Sequence, residues 1–194
     1  IIHFNSYTSY YLQQEGEYLG TVVTAPERVN LNGQEYYKYT IDIHGLHPYK
    51  DTAKNDYINA QGRLQVYSKV STTKYPIRLG EYSVVEGTPK PLFLIEEEGR
   101  INIRGRYMSS NIRGRIYDGV YRSATNKDLQ AFHFKETFSE KLYGKSLYLC
   151  GQIRESIEKN IASNLDGPQK VLAQALCLGG HYSELGEERI KDFA

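Results

Sequence analysis

Two periodicities divide the amino-acid sequence. From Tyr18 to about Phe138, apolar and aromatic residues alternate with polar residues in short runs, and beyond that point apolar residues recur about every four positions. A period of two is typical of a half-buried β-strand, whereas a period near four is typical of an amphipathic helix. The pattern therefore predicts a β-rich region followed by helices.

The β-rich region contains six or seven short runs separated by turn-forming residues. Asn32-Gly33 marks a tight turn, and the alternating residues 37–43 that follow it are expected to form a hairpin with residues 18–24. Gly62 predicts a bulge or a sharp bend within its strand. The predicted strands are residues 18–24, 37–43, 57–68, 80–87, 92–96, 100–109 and 112–122.

The helical region is predicted from apolar residues that recur every four positions, namely Leu149, Ile153, Ile157, Ile161 and Leu165. They indicate an amphipathic helix over residues 146–165. Asp166-Gly167-Pro168 ends this helix and begins a second, and a third is expected from Ser183. We expect the apolar face of the first helix to pack on the β-rich region, and the alternative is that it lies on a membrane surface.

The expected fold class is α+β: mainly β, with an OB-fold-like small barrel followed by C-terminal amphipathic helices. Short strands of this number fit a small barrel, and the five-stranded OB-fold is the commonest such barrel that binds polymers. The layout is a lead-in over residues 1–17, a barrel over 18–137 and a helical segment over 138–194. Hydrophobic residues form 40% of the chain, which suffices for a packed core.

The net charge of +1 does not by itself predict a nucleic-acid partner, so such a prediction must rest on local clustering of cations. Residues 100–122 contain six arginines and one acid, interleaved with tyrosines, and residues 57–80 contain four cations and no acid. Arginine forms bidentate hydrogen bonds with phosphate, and tyrosine rings stack on bases. The candidate nucleic-acid-binding residues are Arg63, Lys69, Lys74, Arg78, Arg100, Arg104, Arg106, Tyr107, Arg113, Arg115 and Tyr117. The alternative is that alternating arginine and tyrosine form the solvated outer faces of strands.

Catalytic and metal-binding motifs are not found in the sequence. There is no GxSxG, Walker-type or HExxH motif, and His44-x-x-His47 has no third ligand nearby. We therefore expect no enzyme activity, no metal and no cofactor. The only cysteines, Cys150 and Cys177, are interpreted as buried helix thiols, or as a disulfide if the location is extracytoplasmic.

The C-terminal residues carry a resemblance to a known family. Ala175, Leu176, Leu178, Gly179, Leu185, Glu188 and Phe193 form a pattern of the type A-L-x-L-G-x…L-x-x-E…F. This pattern resembles the entry to the competence domain of ComEC-type DNA-uptake channels. Gly20, Val22 and Pro26 are similar to the opening strand of the soluble domain that precedes it in that family.

The resemblance implies an extracytoplasmic domain of a bacterial membrane channel that imports single-stranded DNA in natural transformation. The implied partners are single-stranded DNA bound without sequence preference, the membrane domain of the same polypeptide, other competence proteins and a second copy in a homodimer. Two alternatives stay open. The barrel is a structural collar that never binds DNA, or it is a periplasmic carbohydrate-binding barrel, for which glycan binding would not depend on salt.

Overall fold

The computed structural model describes residues 14–49, 57–74, 76–91 and 110–178. The strands are β1 Gly16–Val22, β2 Glu27–Leu31, β3 Gln34–Pro48, β4 Ile58–Lys69, β5 Tyr82–Gly87, β6 Pro89–Pro91, β7 Ile112–Tyr117 and β8 Val120–Ser123. The helices are α1 Asn126–Ala131, α2 Phe138–Asn164 and α3 Gly167–Leu178. The prediction of a mainly β unit followed by C-terminal helices is confirmed.

All the described strands belong to one mixed sheet in the order β6-β7-β4-β3-β1-β5-β8, and β2 pairs with the N-terminal end of β3. β4 and β7 run parallel, and every other pair is antiparallel. Only Asp118 and Gly119 separate β7 from β8, although the two strands lie at opposite regions of the sheet order. The sheet must therefore curl to bring both regions together, and it forms a half-barrel.

The turn at Asn32-Gly33 has positive φ at both residues, 54° and 82°, which is the geometry that an Asn-Gly hairpin turn requires. The turn joins β2 to β3, and β2 is a strand that the sequence pattern did not predict. β1 does pair with β3, as expected, but the two strands are not joined directly by this turn, because β2 lies between them in the sequence. The predicted irregularity at Gly62 is also confirmed, because Gly62 has φ of 126° and the β3–β4 register shifts beside it.

Other predicted boundaries differ from the structure. Residues 112–122 form two strands rather than one, because Asp118 adopts a positive φ of 55° and turns the chain. β3 continues to Pro48, five residues beyond the predicted end of this strand at residue 43. The strands predicted at 92–96 and 100–109, and the helix from Ser183, lie outside the described residues.

The core fills the concave side of the half-barrel. Its fully buried members include Tyr18, Val22, Tyr39, Ile41, Leu46, Leu64, Val66, Val85 and Ile116. On the convex side, α1 and the segment after it cover β1 and β5, where Phe132 packs on Leu19 and Val84. This cover leaves the outer face of β4, β6 and β7 as a separate surface.

Helix α2 begins at Phe138 rather than at residue 146, because Thr137 and Glu140 form a capping box. It contacts the β4–β5 loop, where an added Cβ on Gly80 would lie 2.4 Å from the carbonyl oxygen of Gly144. The expectation that the apolar face of α2 packs on the barrel is wrong, because Leu149 and Ile153 on that face are exposed. No helix in the described part of the chain is long and apolar enough to span a membrane.

The two cysteines lie on different helices, Cys150 on α2 and Cys177 on α3. Both thiols are free and exposed in the structure, so the interpretation as buried thiols is wrong. The disulfide that an extracytoplasmic location permits is not formed here. The packing of α3 on α2 rests instead on contacts such as the hydrogen bond from Arg154 Nη1 to the Leu178 carbonyl oxygen, 2.8 Å long.

Candidate nucleic-acid interface

The outer face of β4 and β7 is defined by strand alternation. Leu64, Val66 and Ile116 point into the core, so the residues between them point outward. The outward residues of β4 are Arg63, Gln65, Tyr67 and Lys69, and those of β7 are Arg113, Arg115 and Tyr117. Together with Lys90 of β6, we call this surface the β4–β7 outer face.

The parallel register of β4 and β7 places outward residues side by side. Gln65 lies opposite Arg115, and Tyr67 lies opposite Tyr117. On the other side of β7, Lys90 pairs with Arg115. Three strands that are distant in the sequence therefore contribute cations and rings to one surface.

Tyr67 and Tyr117 form a stacked pair, with ring centroids 5.0 Å apart and planes inclined by 13°. Tyr67 is only 7% exposed, and its hydroxyl donates a 2.9 Å hydrogen bond to Gln65 Oε1. Tyr117 is 40% exposed, and its hydroxyl accepts a hydrogen bond from Arg115 Nη1 at 3.4 Å. The registered pairs of β6 begin at Ile116 and run away from Tyr117, so no residue of β6 is registered opposite this ring.

Two cations on this face are exposed and have no ion pair with any residue that the structure describes. They are Lys90 on β6 and Arg113 on β7. Arg113 falls at the point where the β4–β7 register shifts, between Ile112 and Gly114. Both side chains are exposed and can contact phosphate oxygens, and the charge of Lys90 also contributes to the lowered pKa of Asp118.

Carboxylates engage two other cations of the face. Arg63 Nε lies 3.8 Å from Asp42 Oδ2, and Lys69 Nζ lies 2.9 Å from Asp118 Oδ1. The hydrogen bond from Lys69 lowers the pKa of the Asp118 carboxyl, and the same bond raises the pKa of Lys69. These acids reduce the positive charge of the face without cancelling it, because five cations stand against two carboxylates in this set of residues.

The remaining candidates lie elsewhere. Lys74 is exposed in the β4–β5 loop, and Arg78 lies in the same loop, where it lines a cavity of about 130 Å³ with Tyr148 and Glu155 of α2. Neither is on a strand of the β4–β7 outer face. Arg100, Arg104, Arg106 and Tyr107 lie outside the described residues.

Arg122, the last arginine of the predicted basic run, forms ion pairs that stabilise the fold. Its guanidinium lies 2.7 Å from Asp128 Oδ2 and 3.2 Å from Glu17 Oε1, so it ties β8 to α1 and to β1. These hydrogen bonds raise the pKa of Arg122, with that from Asp128 as the largest cause. A cation paired with two carboxylates is a poor ligand for phosphate.

Tyr67 and Lys90 belong to this face but were not predicted as site residues. Tyr67 follows Arg63 and Gln65 at a spacing of two, which was a sufficient signal that the three residues share a face. Lys90 stands between two prolines, and such a segment does not predict a strand. Its position became evident only from its pairing with Arg115.

The two histidines of the His44-x-x-His47 pair contact different partners. His44 Nε2 lies 2.7 Å from Thr21 Oγ1, and burial lowers the pKa of this imidazole. His47 stacks on Tyr57 and lies 3.9 Å from Glu17 Oε2. Among the described residues, no group of three or more His, Cys, Asp or Glu side chains is placed to hold a metal ion.

Comparison with protein-family models and with curated protein sequences finds no match to this chain. The geometry of the β4–β7 outer face and the C-terminal resemblance are the observations that bear on function. That geometry combines an exposed, preformed ring with cations on three strands. Such a surface suits a flexible polyanion with flat groups.

Proposed function

We propose that the chain is an extracytoplasmic OB-like domain of a ComEC-type channel, and that it holds single-stranded DNA during uptake without reading its sequence. The C-terminal resemblance supports the channel assignment. The β4–β7 outer face supports the choice of ligand. The domain itself carries out no chemical step in this proposal.

The strand connections support an OB-like barrel. We count β7 and β8 as one bent strand. The order of hydrogen-bonded strands is then β1, β3, β4, β7–β8 and β5, and β5 pairs in turn with β1. The last strand lies parallel to the third and antiparallel to the fourth. OB-folds bind oligonucleotides on the face of their second and third strands, which correspond here to β3 and β4.

The observation that carries the proposal is the Tyr67–Tyr117 stack with cations beside it. A ring that is already stacked on one side and exposed on the other offers a platform for an unpaired base. Arg113 and Arg115 of β7 and Lys90 of β6 lie on the same face as this ring and supply positive charge for the phosphates that would flank that base. Stacking and phosphate contacts of this kind do not discriminate among bases, so we expect binding to depend little on sequence.

A salt titration with fluorescent oligothymidine tests the proposal. The affinity should fall as salt rises, because bound cations release counterions from the strand. The double variant Arg113→Ala and Arg115→Ala should reduce the slope of log affinity against log salt by about 1.4, since each phosphate contact contributes about 0.7. The matched control, Lys127→Ala with Lys135→Ala, removes two positive charges away from this face and should leave the slope nearly unchanged. Equal slopes for the two double variants, or the absence of binding at low salt, would refute the proposal.

The structural collar is favoured by a separate observation. Arg63, Lys69 and Arg122 are each engaged by a carboxylate of a neighbouring element, so part of the cationic set stabilises the fold. If the collar is the function, the purified chain should self-associate and should bind oligothymidine no better than a neutral polymer. Sedimentation velocity with and without the oligonucleotide distinguishes the two functions.

A further inference from the structure

Helix α2 carries exposed apolar residues along one side. Phe138, Leu142, Leu149, Ile153 and Ile157 form this side, which we call the apolar stripe of α2. The exposed fractions of Leu142, Leu149 and Ile153 are 60%, 57% and 53%. At 1.5 Å per residue, the stripe extends over about 29 Å. An exposed apolar surface of this length indicates a partner that covers it.

The orientation of α2 is fixed by its opposite side. Gly144 and Gly151 face the β4–β5 loop, where an added Cβ on Gly151 would lie 3.2 Å from Leu79 Cβ. Only residues without side chains allow the helix to approach the loop this closely. Gly144 and Gly151 are seven residues apart and thus on one face, while Leu142, Leu149 and Ile153 repeat on the opposite face.

The charges of α2 are sorted in the same way. Its three acids lie on the side of the barrel and α3: Glu140 and Glu155 line cavities with barrel residues, and Glu158 pairs with Arg154. Lys141, Lys145 and Lys159 are exposed along one border of the apolar stripe, and Lys141 and Lys145 also line a cavity with Glu81 and Glu136. The stripe is therefore bordered by cations and by no acid of α2, which complements an anionic surface.

We propose that α2 lies on an anionic phospholipid surface, with its apolar stripe in the acyl boundary and the three lysines on the headgroup phosphates. Long lysine side chains bury their methylenes and keep the ammonium at the phosphate level. A second copy of α2 fits the stripe less well, because Ser146, Ser156 and Asn160 occupy positions that a helix–helix seam fills with apolar side chains. This inference does not depend on DNA binding.

The test uses the whole 194-residue chain and vesicles of phosphatidylcholine with or without phosphatidylglycerol. Because the chain has no tryptophan, Ser146→Trp places a single reporter within the apolar stripe. Its emission should shift to the blue with phosphatidylglycerol vesicles, and the emission of Gln130→Trp on α1 should not. An unshifted Ser146→Trp emission would overturn the inference even if the chain sediments with vesicles.

Two further variants distinguish the contribution of the apolar stripe to vesicle binding from that of the arginines on the β4–β7 outer face. Leu149→Ser with Ile153→Ser should weaken vesicle binding at least about tenfold, since two buried apolar side chains are lost. Both residues are exposed in the structure, so the far-UV circular dichroism should be unchanged. Arg113→Ala with Arg115→Ala should bind vesicles as the unaltered chain does. If this arginine variant loses binding while the stripe variant keeps it, or if the stripe variant instead abolishes self-association of the chain, the stripe is not a lipid-binding surface.

Discussion

The rings of Tyr67 and Tyr117 stack across the parallel pair β4 and β7, with their planes 13° apart. Burial and the hydrogen bond to Gln65 fix the orientation of the Tyr67 ring. The stack with Tyr67 in turn orders the ring of Tyr117. An exposed ring that is already ordered loses little conformational entropy when a ligand stacks on it. The pair is therefore suited to binding before any ligand arrives.

Tyr117→Ala should weaken the binding of oligothymidine by a factor of about 5 to about 150, because base–aromatic stacking contributes about 1–3 kcal/mol. Tyr117→Phe keeps the ring and should keep most of the affinity. Fluorescence anisotropy at fixed low salt measures both. Tyr148→Ala removes a comparably exposed ring from α2 and serves as the control. The stacking role is wrong if Tyr117→Ala and Tyr148→Ala bind equally well.

Asp118→Asn should raise the affinity for single-stranded DNA about two- to fivefold. The change removes a negative charge from the β4–β7 outer face and releases Lys69, whose Nζ now lies 2.9 Å from that carboxylate. Asparagine tolerates the positive φ of this position, and the ion pair is exposed, so the stability should change little. Asp166→Asn makes the same charge change between α2 and α3, and anisotropy should detect no gain for it. A gain of equal size in both variants would mean that only net charge matters.

The ion pair of Arg122 with Asp128 predicts a loss of stability in acid. Burial alone would raise the pKa of Asp128, but hydrogen bonds from Arg122 and Thr125 lower it from 3.8 to about 2. Since the folded-state pKa lies below the unfolded value, the stabilisation is present above about pH 4 and is lost as the pH falls toward 2. Arg122 is partly solvated, so we expect a loss of about 1 kcal/mol.

Urea unfolding at pH 6 and at pH 2.5 measures this loss as a change in the free energy of unfolding. Asp128→Asn should be less stable than the unaltered chain at pH 6, and the difference should shrink at pH 2.5. Asp166→Asn should follow the unaltered chain at both values of pH. A constant difference between Asp128→Asn and the unaltered chain would contradict the assignment.

Gly80→Ala should destabilise the protein by about 2–4 kcal/mol or detach α2 from the β4–β5 loop. Gly80 has φ of 79°, and its added Cβ would lie 2.7 Å from the backbone nitrogen of Tyr148. Gly33→Ala is the matched control, because Gly33 has φ of 82° but no atom within 4 Å of the added Cβ. It should cost only about 1–2 kcal/mol. Thermal unfolding and limited proteolysis measure both effects, and equal losses would show that the contact with α2 contributes nothing.

Local features of the fold were predictable because single residues determine them. Asn32-Gly33 and Gly62 adopt positive φ, which few other residues tolerate. The start of α2 was predicted at residue 146 and lies at Phe138, although Thr137 and Glu140 have the spacing of a capping box that marks this start. The pairing of β4 with β7 was not predictable, because a parallel contact between distant strands leaves no local sequence signal.

Alternation likewise predicted part of the candidate site. Arg113, Arg115 and Tyr117 share a face because they lie two residues apart on one strand. The acids that engage the cations were not predictable in the same way. Asp42 reaches Arg63 from β3, and Asp118 reaches Lys69 from the β7–β8 turn, so both contacts depend on the register of the whole sheet.

The β7–β8 turn at Asp118-Gly119 also constrains the order in which the protein folds. β5 pairs with β1 on one side and with β8 on the other, and β8 is the last strand of the chain to be synthesised among those described. Until residues 120–123 leave the ribosome, the backbone of β5 has an unpaired edge that another nascent chain can join. Folding should therefore be slow and sensitive to chaperones, because completing the curled sheet requires contacts between residues far apart in the chain.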